Sequence, residues 1–405
     1  MLKALAKILT MHIHIIGAGV VGLTTAYYLC KKGHKVTVIE KEHDVACGAS
    51  FANGGQLSYC FSDPLGKPSL LPKLLNIALN RDLGIRFNLP PNYNSLKWLR
   101  HFAANCTRKK HNQNQLQLAE LSLSSMSLLQ EMKDHLNLKF DHQRSSKIAL
   151  FEKEKDFKNE IKYLKLKQNL GNDNRAMSIE EAISLEPAIG TLKNRYAGAI
   201  FSESDEAGDT LLFCRGLKDW LIENGTNFHF KTYVKGLKNN NSKVVGLTTD
   251  EGFIETEKII VCGGSSTENI VESPSLITPV RGYSLTLPRG KVSFDMSLTL
   301  SDQKVLFTKL GKKIRITGFA DFFRNNTNDH KRIQELIELA QRVAPDLADY
   351  NPVTIDSWSG DRPLTPSSIP FIGPSNLEGV YINSGHGFYG WTLSFASGKI
   401  ISNYF

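Results

Sequence analysis

The residues with the most explicit chemistry lie near the start of the chain. His12-Ile13-His14-Ile15-Ile16 is an apolar run that leads into Gly17-Ala18-Gly19-Val20-Val21-Gly22. The spacing is G-x-G-x-x-G, and an acid, Glu40, follows about 20 residues later. That pattern suits a dinucleotide. Gly17 permits the tight turn, Gly19 lets backbone approach a pyrophosphate, and Gly22 lets a helix pack close to its strand. The helix Val20–Lys32 then points its positive end at the phosphates. Gly33 stops it, Lys35–Ile39 reads as the second strand, and Glu40 is placed to hold a ribose hydroxyl. Ile16 to Gly22, with Glu40 and Lys41, are the expected nucleotide contacts. A plain glycine-rich turn would leave Glu40 without a reason.

Three further stretches could serve the same ligand. Ala46–Gln56 is small, polar and glycine-rich, which suits a loop laid against a ligand with its backbone exposed. Ser50, Asn53, Gly54, Gly55 and Gln56 are its candidate contacts. Lys258–Ser266 is a buried parallel strand that ends in glycines, with Gly263 at the carboxyl end where open α/β sheets bind ligands. Ile382–Trp391 is strand, glycine turn, then the start of a helix Trp391–Tyr404. Its free N–H groups can hold an anionic group, with Gly385, Gly387, Gly390 and Trp391 as contacts. A second dense segment, Trp358–Pro366, carries Arg362.

These parts need a scaffold of some size. The chain has 405 residues, 41% hydrophobic and 22% charged. That describes a globular protein of two or three domains at roughly 150 residues each. Net charge is +9, and the basic residues are dispersed. A solvated surface accounts for them, with attraction to an anionic membrane as the alternative. Six cysteines show no CxxC pair, so a reducing compartment with free thiols is expected, and no metal site is suggested. No stretch approaches 18 consecutive apolar residues. Met1–Thr10 is too short for a secretory signal.

Along the chain, Cys60–Pro91 reads as irregular. A long helix is expected between Gln113 and Leu136, with Leu118, Leu121, Leu128, Met132 and Leu136 on its inner face. Ile148–Phe151 is a strand, Lys153–Leu170 a charged helix, and Ser178-Ile179-Glu180-Glu181 a capping box. Ala197–Ser202 is a strand, and Asp209 caps a helix that runs to Asn224. Strands at Asn227–Lys231, Lys243–Thr249 and Phe253–Glu257 follow. Residues Ile277–Phe323 read as antiparallel strands. Asp329 caps a helix to Val343, with Ile333, Leu336, Ile337 and Ala340 on one face.

Six runs together resemble the FAD-dependent D-amino-acid dehydrogenase family, within the larger glycine oxidase and D-amino-acid oxidase group. They are Ile15–Glu40, Ser50–Gln56, Ser204–Asp209, Val280–Thr286, Trp358–Pro366 and Asn383–Leu393. The resemblance implies an α/β fold: a Rossmann-type FAD-binding domain with an interleaved α+β substrate domain built on an antiparallel sheet. Segments 11–60, 197–275 and 353–405 would form the first, and 61–196 with 276–352 the second. Two departures stand out. Asp361 replaces an apolar neighbour of the arginine, and Ser367-Ser368 replaces a more usual Asp-Gly.

The resemblance also implies FAD as cofactor and oxidative deamination of a D-alanine-like amino acid to a 2-oxo acid and ammonia. Arg362 is the first choice for the carboxylate anchor, because a guanidinium fork matches a carboxylate. Arg281, Tyr283 and His386 are secondary site candidates, each as suited to a structural role. The implied electron acceptor is a respiratory quinone. The implied place is the cytoplasm or the inner face of the plasma membrane. Rival readings are an oxygen-dependent amino-acid or glycine oxidase and a flavin-dependent tRNA-modifying domain. The latter calls for a concentrated basic stripe, whereas charge here is scattered and no nucleic-acid partner is expected.

Overall fold

A computed structural model of the chain describes residues 10–73, 82, 84–87, 93–272, 276–323 and 329–405. The expectation for Met1–Thr10 falls, but for Thr10, outside them. Two sheets organise the described residues. The first has six strands in the order Phe371–Pro374, Val380–Ser384, Ile259–Val261, His12–Ile16, Lys35–Ile39 and Asn227–His229. All pairs are parallel except the first. Strands buried on both faces read as unbroken apolar runs, and Ile13 to Ile16 and Ile259 to Val261 are buried accordingly.

Helix Val20–Lys31 leaves the central strand and packs against the last helix, Gly390–Ser402. Gly398 allows this close crossing. A Cβ there would lie 3.0 Å from the carbonyl of Thr24. Helix Thr210–Glu223 packs on the same side, and the Asp209 side chain accepts from Leu212 N–H at its start, as expected.

The second sheet has nine strands. Eight run in the order Asp356–Leu364, Thr278–Pro288, Lys313–Phe322, Val305–Leu310, Ser297–Leu300, Lys147–Phe151, Gly198–Ser202 and Arg175–Met177. Ile85–Phe87 adds to Lys313–Phe322, so this part of Cys60–Pro91 is a strand rather than irregular chain. Most pairs are antiparallel, while Ser297–Leu300 meets Lys147–Phe151 in parallel. Strands Gly198–Ser202 and Asp356–Leu364, which fall in segments 197–275 and 353–405, pair in this sheet. Crossing between sheets is what lets the chain's later segments carry residues to both walls of one cavity.

Two helical expectations change in detail. The long helix spans Arg108–His135, and its inner face is more polar than a leucine stripe. Ser122 and Ser125 are buried, whereas Leu121 and Leu128 are half-buried. The hydroxyls have partners: Ser125 accepts from Ala396 N–H at 3.0 Å, and Ser122 donates to the Tyr59 carbonyl at 2.7 Å. Such contacts let helices approach closely without stranding a polar group. Helix His330–Val343 follows Asp329, but the Asp329 side chain does not cap it. That carboxylate accepts from the Ser359 hydroxyl and lies 4.0 Å from Arg281. The capping box at Ser178 and Glu181 is complete on both sides. Among the described residues no helix is long and apolar enough to cross a membrane.

Candidate active site

A cavity of about 1100 Å³ is lined by residues from both sheets. Ordinary small-molecule sites occupy about 300–1,000 Å³. The space therefore suits a large ligand together with a small one.

The end expected to take a nucleotide is built by the first strand, turn and helix. Gly17 has φ +106°, and a Cβ on it would lie 2.5 Å from the Cys262 carbonyl oxygen. A Cβ on Gly22 would lie 1.9 Å from the Gly17 oxygen. Both positions thus need glycine for different reasons, a turn conformation and a close approach. The helix that follows has no side-chain cap and no acid in its first turn, which suits a phosphate at its N-terminus. Ser50 Oγ accepts from Val20 N–H at 3.1 Å and so ties the Gly-rich loop to this helix start. Glu40 reaches the cavity and accepts from Ala18 N–H at 2.7 Å and Glu42 N–H at 3.0 Å. A carboxylate has lone pairs left for a ribose hydroxyl. Ala18 is fully buried behind the wall, and Lys41 reaches the cavity but pairs with Glu42 at 3.1 Å. Gly263 lines the cavity beside Ile16, Val20 and Val21.

The loop beyond Asn53 crosses the large sheet. The Asn53 carbonyl accepts from Arg315 Nη1 at 2.7 Å, Gln56 Nε2 donates to Thr308 at 3.1 Å, and Ser58 Oγ accepts from Lys147 Nζ at 2.9 Å. Gly54 and Gly55 line the cavity there. Beside this line of contacts runs one cross-strand row: Ala149, Thr299, Leu306, Thr317, Ser284 and Trp358, each paired in register with the next. Side chains of one row share a face, and all of these except Ser284 line the cavity as its floor.

Arg362 is brought to the cavity from the edge strand. It is half-buried, and its guanidinium lies over Gly282, 5.1 Å from the centre of the Phe388 ring. Its Nη1 donates to the Phe319 carbonyl at 2.8 Å, and among the described residues it pairs with no carboxylate. Burial pulls its pKa down to about 10, so it stays charged at neutral pH.

The secondary candidates are placed otherwise. Arg281 does not line the cavity; its Nε lies 3.1 Å from Asp361 Oδ1, the cross-strand neighbour. This gives the acid beside Arg362 a partner: Asp361 answers Arg281 while also lining the cavity. Tyr283 is buried, and its hydroxyl donates to Asp321 Oδ2 at 2.9 Å. His386 lines the cavity, its Nε2 2.9 Å from Ser397 Oγ, and burial lowers its pKa to about 3. It is a neutral imidazole. Gly387, Gly390 and Trp391 line the cavity, whereas Gly385 (φ +88°) makes the turn behind it. The last helix, like the first, starts without a side-chain cap or an acid.

Sequence reasoning missed a charged group at the wall. Lys147 is buried, bonded to Ser58 and 4.7 Å from the Phe61 ring centre. Burial lowers its pKa to about 8. The signal was present as a single lysine at the head of the otherwise apolar strand Lys147–Phe151. Asp63 and Lys67 are also cavity residues. Burial works against the Asp63 charge, but Lys167 at 2.9 Å and Lys67 hold its carboxyl well below the usual range.

Residues 12–404 match the family model for FAD dependent oxidoreductases, designated DAO. The chain belongs to this family. This FAD-dependent oxidoreductase is 30% identical to a D-amino acid dehydrogenase of Paramagnetospirillum magneticum, over 97% of its own length and 94% of that relative's. It is 29% identical to a D-amino acid dehydrogenase of Vibrio vulnificus, covering 96% and 94%. Its fold is similar to that of glycine oxidase from Bacillus cereus, with TM-score 0.71, 20% identity and 96% of each chain covered. A similar match is L-proline dehydrogenase from P. horikoshii, with TM-score 0.70, 17% identity and coverage of 97% and 92%.

The cavity fits the cofactor. Besides the glycine turn and the two uncapped helix starts, Gln56 Oε1, Asn383 Oδ1 and Trp391 Nε1 are buried at its wall without partners among the described residues. Buried polar atoms normally have partners, so these await a polar ligand. FAD supplies a two-electron acceptor; this oxidoreductase's own residues supply position, charge and exclusion of water for a small-molecule substrate.

Proposed function

We propose that the chain oxidises D-amino acids of alanine-like size. The Cα hydrogen leaves as hydride, the imino acid is hydrolysed to a 2-oxo acid and ammonia, and the electrons pass to a respiratory quinone. The observation that carries this reading is Arg362, a charged guanidinium at the cavity wall with no carboxylate partner among the described residues. A substrate carboxylate completes it with a bidentate pair. Two relatives named D-amino acid dehydrogenase, matched over almost the whole chain, support the substrate class. Arg362 fixes one end of the substrate, and the floor row from Ala149 to Trp358 limits where its Cα rests. Positioning of this kind supplies several kcal/mol of the barrier.

In this reading FAD lies with its pyrophosphate at Gly17–Gly22, its ribose at Glu40, and its ring between the Ser50–Gln56 loop and the last helix. The uncapped N-terminus of that helix favours negative charge on the reduced cofactor. The net charge of +9 supports attachment to an anionic membrane surface, where a quinone is at hand. The test is bleaching of the enzyme-bound flavin by D-alanine without oxygen, followed by admission of air. Bleaching with slow reoxidation is expected. Prompt hydrogen peroxide would make the chain an oxidase, and no bleaching by any D-amino acid would remove the substrate class.

A further inference from the structure

Phe319 is a non-glycine residue in the left-handed region, with φ +64°. It lies inside strand Lys313–Phe322, where such a conformation is costly and persists only if the surroundings impose it. The pairing with Thr278–Pro288 is broken at this point. Arg281 faces Asp321, but Tyr283 faces Gly318, so Phe319 and Ala320 stand opposite Gly282 as a bulge. Bulges re-aim groups beside active sites. Here the re-aimed group is the Phe319 carbonyl, which accepts from Arg362 Nη1 at 2.8 Å.

The ring of Phe319 is held from the other side. The Arg332 guanidinium sits 4.1 Å from its centre. Arg332 is itself fixed by two bonds to Asp321, at 2.8 and 3.0 Å, and Asp321 also takes the Tyr283 hydroxyl. This buried cluster is outside the ligand cavity apart from Tyr283. It has no evident part in binding FAD, yet it converges on the residue whose carbonyl meets Arg362.

We propose that Phe319 is a positioning residue: its left-handed bulge, clamped by Arg332 and Asp321, sets the direction of the Arg362 guanidinium for the substrate carboxylate. The inference rests on Arg362 being the anchor. Without the bulge the carbonyl returns to the strand ladder, and Arg362 loses the hydrogen bond to it that orients its fork.

The test is a series at position 319 in the FAD-loaded enzyme. Phe319→Gly and Phe319→Ala both remove the ring but differ in tolerance of positive φ, and Phe319→Val, β-branched, tolerates it least. KM for D-alanine is expected to rise in the order Gly, Ala, Val, with about a tenfold span. Flavin content should stay constant and kcat change less than KM. Displacement of the bound-flavin spectrum by benzoate, a carboxylate that cannot react, should weaken in the same order. If Phe319→Val does not fold, the Gly and Ala pair still decides. Equal KM for Gly and Ala, or the reverse order, overturns the proposal. Arg362→Leu separates the two claims. An unchanged KM there removes the anchor and this inference together, while a raised KM with a flat series at 319 removes this inference alone.

Discussion

The guanidinium of Arg362 lies directly over Gly282, so that a Cβ on Gly282 would fall 2.1 Å from its Cζ. The two residues are on neighbouring strands, two register positions apart, and the missing side chain is what gives the arginine its place at the cavity. Gly282→Ala should therefore displace Arg362 while leaving the nucleotide end untouched. A misplacement near 1 Å can cost about a hundredfold in rate. KM for D-alanine is expected to rise at least about tenfold, with flavin content as in the parent enzyme. Steady-state kinetics beside a flavin-to-protein absorbance ratio measures both. Loss of flavin in this variant would mean that the two ends of the cavity are not independent.

Gly22 makes the corresponding contact at the nucleotide end. A methyl group there meets the Gly17 oxygen at 1.9 Å, and neither partner is a flexible side chain. Overpacking of this sort costs about 1–3 kcal/mol, and here it deforms the phosphate turn. Gly22→Ala is expected to purify colourless or nearly so and to require far more added FAD to regain activity. A yellow protein with normal affinity would show that the turn adapts.

The glycine turn and its flanking strands and helix were legible because their physics is local. A turn, a close crossing and an acid at a fixed spacing are all encoded within Ile16–Glu40, and the structure keeps them together. Arg362 was legible as a residue type, but its neighbours were not. Gly282 and Phe319 lie on two other strands, and which of them faces Arg362 depends on register across the large sheet and on one bulge. Periodicity along a strand cannot report that. Arg281 and Tyr283 stood as secondary candidates, each as suited to a structural role, and they meet Asp361 and Asp321. Lys147 was passed over because an apolar strand pattern hides one charged residue whose partner, Ser58, is far away in sequence.

The Asp321 and Arg332 pair is buried on both sides, with side chains 4% and 5% exposed. Removing one partner of such a pair leaves an uncompensated charge and typically costs about 3–5 kcal/mol. Arg332→Met should lower resistance to urea by that order, whereas the double change Asp321→Leu with Arg332→Met should recover part of the loss. Denaturation curves of the three proteins settle the order. A double variant weaker than the single one would mean that the Tyr283 hydroxyl, left without Asp321, matters more than the ion pair.

His386 gives the enzyme a defined response to acid. Burial lowers its pKa from the ordinary 6.5 to about 3, with the ring held against Ser397. Between those values the unfolded chain binds a proton that the folded chain does not. Unfolding then takes up a proton, so acid favours it. The contribution of His386 is complete above pH 6.5 and is lost as pH falls from there toward 3. The slope for one such group is at most about 1.4 kcal/mol per pH unit. His14, lowered to about 4 by burial, acts with the same sign, so the parent enzyme carries both slopes. His386→Gln keeps a hydrogen-bonding group for Ser397 but cannot titrate. Its thermal midpoint should fall less steeply than the parent's as pH is lowered below 6.5, with the two curves parallel above it. The pH profile of kcat/KM should show no limb belonging to His386, since the neutral ring persists over the whole working range. Parallel midpoint curves below pH 6.5 would mean that His386 is protonated in the folded enzyme, and a charged imidazole would then have to be included in the electrostatics of the cavity.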